Sequence, residues 1–328
     1  MLQATDHNIT FPALNTGYAR AFSPGRMTLG LVVPLERYAH TAAPTMTDHI
    51  ERVQLAEQLG FAAVWLRDVP FDVPSFGDAG QLFDPFVYLG TLAAVTDRIT
   101  LGVASLILPL RHPAHVAKAA ASVDVLSGGR LVLGIASGDR PAEYPAMGVD
   151  FEARGALFRE SYDYIRNLGQ PGGTVSNAFG EVSGNIDLLP RPVAAHLPLL
   201  ITGSSQQNDA WIAANADGWM TYPRPAAAQG AMIASYRARV AASGDHDKPV
   251  MEPLYIDLAE DPDAPPSPIH LGICAGARAL RDYLRTREHL GVNHVALNLR
   301  FANADTEAVL EQLSEHVLPH FPTQESDT

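Results

Sequence analysis

RITLGVASLILPLRHPAHVAKAAASVDVLSGGRLVLGIASGDRPAEYPAMG, residues 98–148, reads as strand, helix, strand. Ile99 to Leu106 and Leu131 to Ser137 are apolar almost throughout, the pattern of parallel strands covered on both faces by helices. Between them Ala114 to Leu126 has helical composition, and Pro113 stands at the first turn, where a missing N–H costs nothing. Each strand then runs into polar, oddly punctuated residues, His112-Pro113 after the first and Ser137-Gly138-Asp139-Arg140 after the second. In parallel α/β folds such strand ends are where sites are built.

Outward from this unit the rhythm repeats. Apolar runs at Thr28 to Pro34, Ala62 to Arg67, Leu197 to Gly203, Gly218 to Tyr222, Pro249 to Leu258 and Asn293 to Leu299 bring the strands to eight. Helical stretches at Thr45 to Leu59, Pro85 to Val95, Glu152 to Leu168, Gln206 to Ala214, Ala226 to Ala242, Ala277 to Leu290 and Asp305 to Val317 bring the helices to the same number. Eight βα units predict an α/β fold of the (β/α)8 TIM-barrel type with insertions at the C-terminal face. The alternative, a doubly wound open sheet, lacks its usual signatures, since no GxGxxG follows a strand and no GxxxxGK[ST] occurs. Residues 1–27 read as an N-terminal extension and 28–328 as one barrel domain. Three irregular segments interrupt the rhythm: Pro70 to Gly80, Gln170 to Ala195, which alternates enough for a small hairpin, and Ala259 to Pro268, whose prolines predict a surface loop.

Composition narrows the partners. Twenty-three Lys and Arg against 36 Asp and Glu give a net charge of −13, which repels phosphate backbones and anionic lipid heads, so neither nucleic acid nor membrane is an expected partner. The one cysteine, Cys274, forms no internal disulfide and reads as structural. The first 26 residues lack an apolar core with a cleavage site, and no apolar run nears ~20 residues, so a cytoplasmic location is expected.

The strand ends carry the candidate chemistry. After the second strand come Arg67 and Asp68, which could position a ligand or simply pair with each other. His112 could manage protons near neutral pH or merely cap the helix that Pro113 starts. His115 adds no metal-ligand pattern, and no metal is expected. Arg140 has the planar fork that suits a phosphate, though Asp139 and Arg140 could equally form a surface pair. Thr202-Gly203-Ser204-Ser205 opens towards a predicted helix and outlines an anion seat, with Ser205 as a plain helix cap the competing reading.

In order and spacing, AEQLGFAAVWLRD, ITLGVASLILPLRHP, VDVLSGGRLVLGIASGD and LPLLITGSSQQNDAWIAANADGWM resemble the luciferase-like flavin-dependent monooxygenases, over roughly Thr28 to Tyr222 and more weakly beyond. The resemblance implies a barrel whose mouth binds reduced FMN, or in one branch a deazaflavin, usually in a homodimer. It implies a cis peptide at Ala104-Ser105 bulging against the flavin ring, a strand-four turn of Ser137, Asp139 and Arg140 near the flavin and its phosphate, and a phosphate-side turn of Gly203, Ser204 and Ser205. Where the luciferases proper carry Glu-His-His after the second strand, this chain has Asp68-Val69-Pro70, so light emission from a long-chain aldehyde is not expected.

By resemblance the reaction is oxygenation of a small organic substrate by O2 through a flavin C4a peroxide, with reduced flavin supplied by a separate NAD(P)H flavin reductase. Asp68, His112 and Arg67 are then the catalytic candidates. A deazaflavin-dependent dehydrogenase on the same barrel and a flavin-binding protein without catalysis are the alternatives. A metal-dependent barrel hydrolase lacks its paired histidines on the first strand.

Overall fold

A computed structural model describes residues 10–323 except 245. In chain order the elements are α1 (Thr16–Ala21), β1 (Thr28–Val32), α2 (His49–Leu59), β2 (Ala63–Leu66), α3 (Pro85–Val95), β3 (Thr100–Ile107), α4 (Pro113–Leu126) and β4 (Leu131–Ala136). There follow α5 (Glu143–Ala146), α6 (Arg154–Leu168), the short strands β5 (Val175–Asn177) and β6 (Gly180–Val182), β7 (Leu199–Thr202), α7 (Asp209–Asn215), β8 (Gly218–Met220) and α8 (Ala226–Ala242). The chain ends with β9 (Val250–Leu258), β10 (Ser267–Ile269), β11 (Gly272–Ala275), α9 (Ala277–His289), β12 (His294–Asn298) and α10 (Thr306–His316).

Eight parallel strands run β9-β12-β1-β2-β3-β4-β7-β8, and β8 pairs back onto β9 through Trp219↔Val250 and Met220↔Met251. The sheet therefore closes into the (β/α)8 barrel that the sequence rhythm predicts. Every residue of β1, β2 and β12 is buried, as strands wrapped by helices must be. No helix among the described residues is long and apolar enough to cross a membrane.

Most elements fall within two residues of expectation, and the differences have local causes. The first long helix starts at His49 rather than Thr45, because Met46 and Asp48 take left-handed backbone and Glu36 accepts the N–H groups of Thr45 and Met46. The segment 170–195 does form a hairpin, β5 with β6. Of the proline-rich stretch 259–268, residues 259–266 form the expected loop and only Ser267 and Pro268 enter a strand. Ser267–Ile269 pairs antiparallel with Gly272–Ala275, which in turn extends the outer end of β9, so a hairpin rises over the barrel mouth.

Residues 15–22, ahead of β1, pack onto the barrel. Helix α1 seats Tyr18 and Phe22 against Val132, Leu200 and Trp65, and Thr100 donates to the Gly17 carbonyl at 2.9 Å. Asn15 caps α1 and donates to Asp124 at 2.9 Å and to the Leu131 carbonyl at 2.7 Å. The end opposite the mouth is thereby closed. Arg130, the last residue of D-x-LSGGR, is buried and donates to the carbonyls of Ala93, Thr96, Ile99 and Ser127 and to the Thr96 hydroxyl.

Candidate active site

All eight strands of the barrel, or the residues just after them, contribute to one cavity of about 510 Å³ at the C-terminal face. That volume lies within the usual range for small-molecule and cofactor sites. Its apolar surface comes from Val32, Ala104, Met220, Met251, Pro253 and Ala296. The insertion after β2 supplies Phe76 and Asp78, and the hairpin over the mouth supplies His270 and Leu271.

Asp68 and Arg67 follow β2 and diverge, since neighbouring residues of an extended chain face opposite ways. The expected alternative of an Asp68–Arg67 pair is therefore corrected. Asp68 takes Arg111 in a two-point clasp, Oδ1 to NH2 at 2.7 Å and Oδ2 to Nε at 3.0 Å, and also accepts the Ile107 N–H at 3.0 Å. Both oxygens are engaged, so this carboxylate fastens the end of β3 to the end of β2.

Arg67 pairs instead with Asp78 at 2.5 Å. The same oxygen, Oδ2, lies 3.0 Å from Arg300 NH1, while Oδ1 accepts from the Tyr38 hydroxyl at 3.1 Å and the Gly80 N–H at 2.9 Å. Burial alone would raise the Asp78 carboxyl, but Arg67, the Gly80 N–H and Arg300 together hold it below the usual carboxylate range. Burial and the neighbouring Asp78 charge push the Tyr38 phenol well up, so it stays protonated as a donor.

On β3 the register against β4 shifts between Val103 and Leu106, and the Ala104-Ser105 peptide is cis, as the resemblance implies. Ser105 and Thr202 bring their hydroxyls together beside Met220, whose sulfur lies 3.2 Å from the Thr202 hydroxyl and 3.7 Å from that of Ser105.

Ser137, Gly138, Asp139 and Arg140 all line the cavity. Gly138 has φ of 80°, and a Cβ there would meet the Tyr144 hydroxyl and Ile107, so no other residue fits this turn. Tyr144 donates to the Ser137 carbonyl and holds the turn from behind. The Asp139–Arg140 surface pair is corrected: Asp139 is exposed, whereas Arg140 is buried, 5% exposed. Its NH2 donates to the Asp78 carbonyl at 3.1 Å and its guanidinium lies 4.6 Å from the Phe76 ring centre. Its NH1 is 4.0 Å from Glu143 and has no hydrogen-bond partner among the described residues. Burial raises the Glu143 carboxyl towards its neutral form, which weakens its claim on that guanidinium.

Gly203 and Ser205 line the cavity, but Ser204 does not and is exposed. No helix opens at Gln206, because Gly203, Ser205 and Gln206 all take positive φ; α7 begins at Asp209 with Asn208 as its cap. The Ser205 hydroxyl closes its own turn on the Thr202 carbonyl at 2.7 Å, so it caps no helix. A Cβ on Gly203 would meet nothing within 4 Å.

His112 is corrected as a site residue. It does not line the cavity; its Nδ1 accepts the Ala114 N–H, its Nε2 lies 3.1 Å from the Phe179 carbonyl, and its ring packs edge-on to Tyr164 and Phe179. It is the cap of α4.

The sequence reading missed Asp78, Arg111, Tyr255, His270 and Arg300. Arg300 could have been found by applying the strand-end rule to the eighth strand, where NLR follows the apolar run. Asp78 sits in the irregular segment after β2, which carried no signal for side-chain placement.

A closed parallel barrel with one cavity fed by every strand end defines a ligand-binding barrel of the enzyme type. The comparisons narrow this to a family: residues 27–310 match the luciferase-like monooxygenases, and the chain belongs to that family. An uncharacterised protein of Mycobacterium tuberculosis is 33% identical over 187 residues, 52% of this chain, and the match spans 66% of that relative, just under two thirds of its length. Among solved structures, the monooxygenase RslO1 from Streptomyces bottropensis has a TM-score of 0.75 at 20% identity, covering 90% of this chain and all of that one. An F420-dependent secondary alcohol dehydrogenase in complex with an F420-acetone adduct gives 0.73 at 17% identity, over 89% and 98%. The oxygenating constituent of 3,6-diketocamphane monooxygenase from Pseudomonas putida, in complex with FMN, gives 0.71 at 12% identity, over 91% and 100%. At these identities the likeness is one of fold.

Proposed function

We propose that this chain is a flavin-dependent oxidoreductase of the monooxygenase type, using reduced FMN and O2 on a small organic substrate. The observation that carries the reading is Arg140: a buried guanidinium on the cavity wall with one nitrogen that has no hydrogen-bond partner among the described residues. An unpaired buried donor is costly, and a phosphate oxygen would satisfy it. Gly203, after the adjacent strand β7, leaves open space where a ligand can approach the backbone closely.

Bound reduced flavin would supply the two-electron chemistry. Arg140 and the turns at Gly138 and Gly203 would hold its phosphate, and Ala104-Ser105 would meet its ring. Thr202 and Ser105 offer hydroxyl donors at that wall, Met220, Met251 and Ala296 exclude water from beneath it, and Asp68 keeps the β3 end in place through Arg111. No side chain is needed as a covalent nucleophile. A homodimer, a cytoplasmic location and a separate reductase belong to the same reading.

Hydride transfer with a deazaflavin is the second reading, favoured by the likeness to the F420-dependent dehydrogenase. Oxygen and NAD(P)H consumption with added FMN, with and without a flavin reductase, separates the two. The oxygenase reading expects oxygen uptake that responds to this protein. Uptake unchanged by the protein, together with tight deazaflavin binding, would favour hydride transfer.

A further inference from the structure

At the mouth, where β2 and β12 end, two cations share one carboxylate, that of Asp78, whose main-chain carbonyl also accepts from Arg140. Arg67, after β2, and Arg300, after β12, both reach Oδ2 of Asp78, at 2.5 and 3.0 Å. The other oxygen of Asp78 is filled by neutral donors, Tyr38 and Gly80. Asp68, the other acid nearby on this wall, is already taken by Arg111. Among the described residues, Arg67, Arg300 and Asp78 therefore leave one positive charge without a carboxylate of its own, inside a chain whose net charge is −13.

The donors are underused as well. Arg300 is 8% exposed, and its Nε has no hydrogen-bond partner among the described residues. Arg300 NH2 is spent on the carbonyls of Thr41 and Gly77, which fixes the guanidinium plane. The hydrogen bonds found for the Arg67 guanidinium among the described residues all run through NH1 to Asp78. Beside these groups stand flat rings: Tyr255 packs 5.1 Å from Phe301 and 6.2 Å from His270, and Tyr255 and His270 both line the cavity. Tyr222 and Leu271 add apolar surface at the rim.

We propose that Arg67 and Arg300 form an anion subsite on the substrate side of the cavity, and that the substrate is a small organic carboxylate whose planar, apolar body lies against Tyr255 and His270. A fixed pair of guanidiniums with spare N–H groups gives the charge-assisted contacts that a carboxylate needs, and the shared Asp78 prevents the two cations from repelling each other apart when the subsite is empty. The assignment to the substrate side rests on the flavin reading, which puts the cofactor phosphate at Arg140.

Calorimetric titration of the full chain with benzoate and with benzamide tests this, because the two differ in charge far more than in shape. Benzoate is expected to bind at least tenfold more tightly than benzamide, and the preference is expected to persist with saturating FMN. Arg300→Gln should abolish the preference while FMN affinity stays within twofold, and Arg300→Lys, which keeps the charge, should retain part of it even if the glutamine variant does not fold. Equal binding of the two probes, binding of neither, or displacement of benzoate by FMN would overturn the subsite. Benzoate selectivity in a protein that ignores FMN would instead leave the subsite standing and remove the flavin reading, so the two failures are distinguishable.

Discussion

Asp68 grips Arg111 with both carboxylate oxygens, at 2.7 and 3.0 Å, and the pair ties the loop after β3 to the end of β2. A residue that looked from sequence like a catalytic acid is thus committed to structure. Asp68→Ala should lower unfolding free energy by about 3 kcal/mol, near the lower end for a broken buried pair because Arg111 keeps some exposure. Urea denaturation checks the loss. If Asp68→Asn folds but removes one limb of the pH–rate profile, the carboxylate moves protons after all.

Inside the barrel, His294 accepts from the Trp65 indole N–H at 2.8 Å and meets the Thr28 hydroxyl at 2.7 Å. Burial drives its imidazole from 6.5 down to about 3. The unfolded chain takes up this proton near pH 6.5 and the native one does not. The stability it contributes is therefore complete above that value and lost as pH falls from 6.5 towards 3. By pH 5 the loss from this residue alone should be about 2 kcal/mol. Comparing urea midpoints at pH 7 and pH 5 for the parent and His294→Asn isolates it; equal pH slopes would contradict a neutral, buried histidine.

Gly102 faces the ring of Trp65 so closely that an added Cβ would overlap it. The indole cannot retreat, being fully buried and bonded to His294. Gly102→Ala should cost about 1–3 kcal/mol by overpacking, and more if the Trp65–His294 bond breaks. Thermal denaturation gives the size, and loss of the buried tryptophan's emission signature would show the bond breaking.

Arg140→Ala should weaken FMN by about ten- to a hundredfold, the range for one charge-assisted hydrogen bond, and leave riboflavin nearly unchanged. Fluorescence titration with both ligands checks this. Equal losses would take Arg140 away from the phosphate.

The barrel was legible because eight apolar runs, each covered by a helix, have a single closed arrangement that buries them all, and β3, β4 and α4 fall where their Val, Leu and Ala runs predict. The D-x-LSGGR element was legible as a family mark but not in its role. Asp124 binds Asn15 and the Val193 N–H, and Arg130 ties four carbonyls at the end of the barrel away from the mouth, so the mark is a structural lock. Strand ends at Arg67, Ser105, Ser137 and Arg140 could be placed at the mouth because strand direction fixes which end they occupy. Asp78 could not, since a loop of this composition has no period to set its side chains. His112 misled for a related reason: His before Pro reads alike whether it faces a ligand or caps a helix, and only the packing of Tyr164 and Phe179 around it decides.

In the proposed function the mouth cavity holds a flavin with its phosphate at Arg140. Titrating the full chain anaerobically with oxidised FMN, reduced FMN and a deazaflavin tests it most directly. Quenched FMN fluorescence and tighter binding of the reduced form than of the oxidised one are expected. Negligible or equal binding of both FMN forms, with tight binding of the deazaflavin, would contradict it.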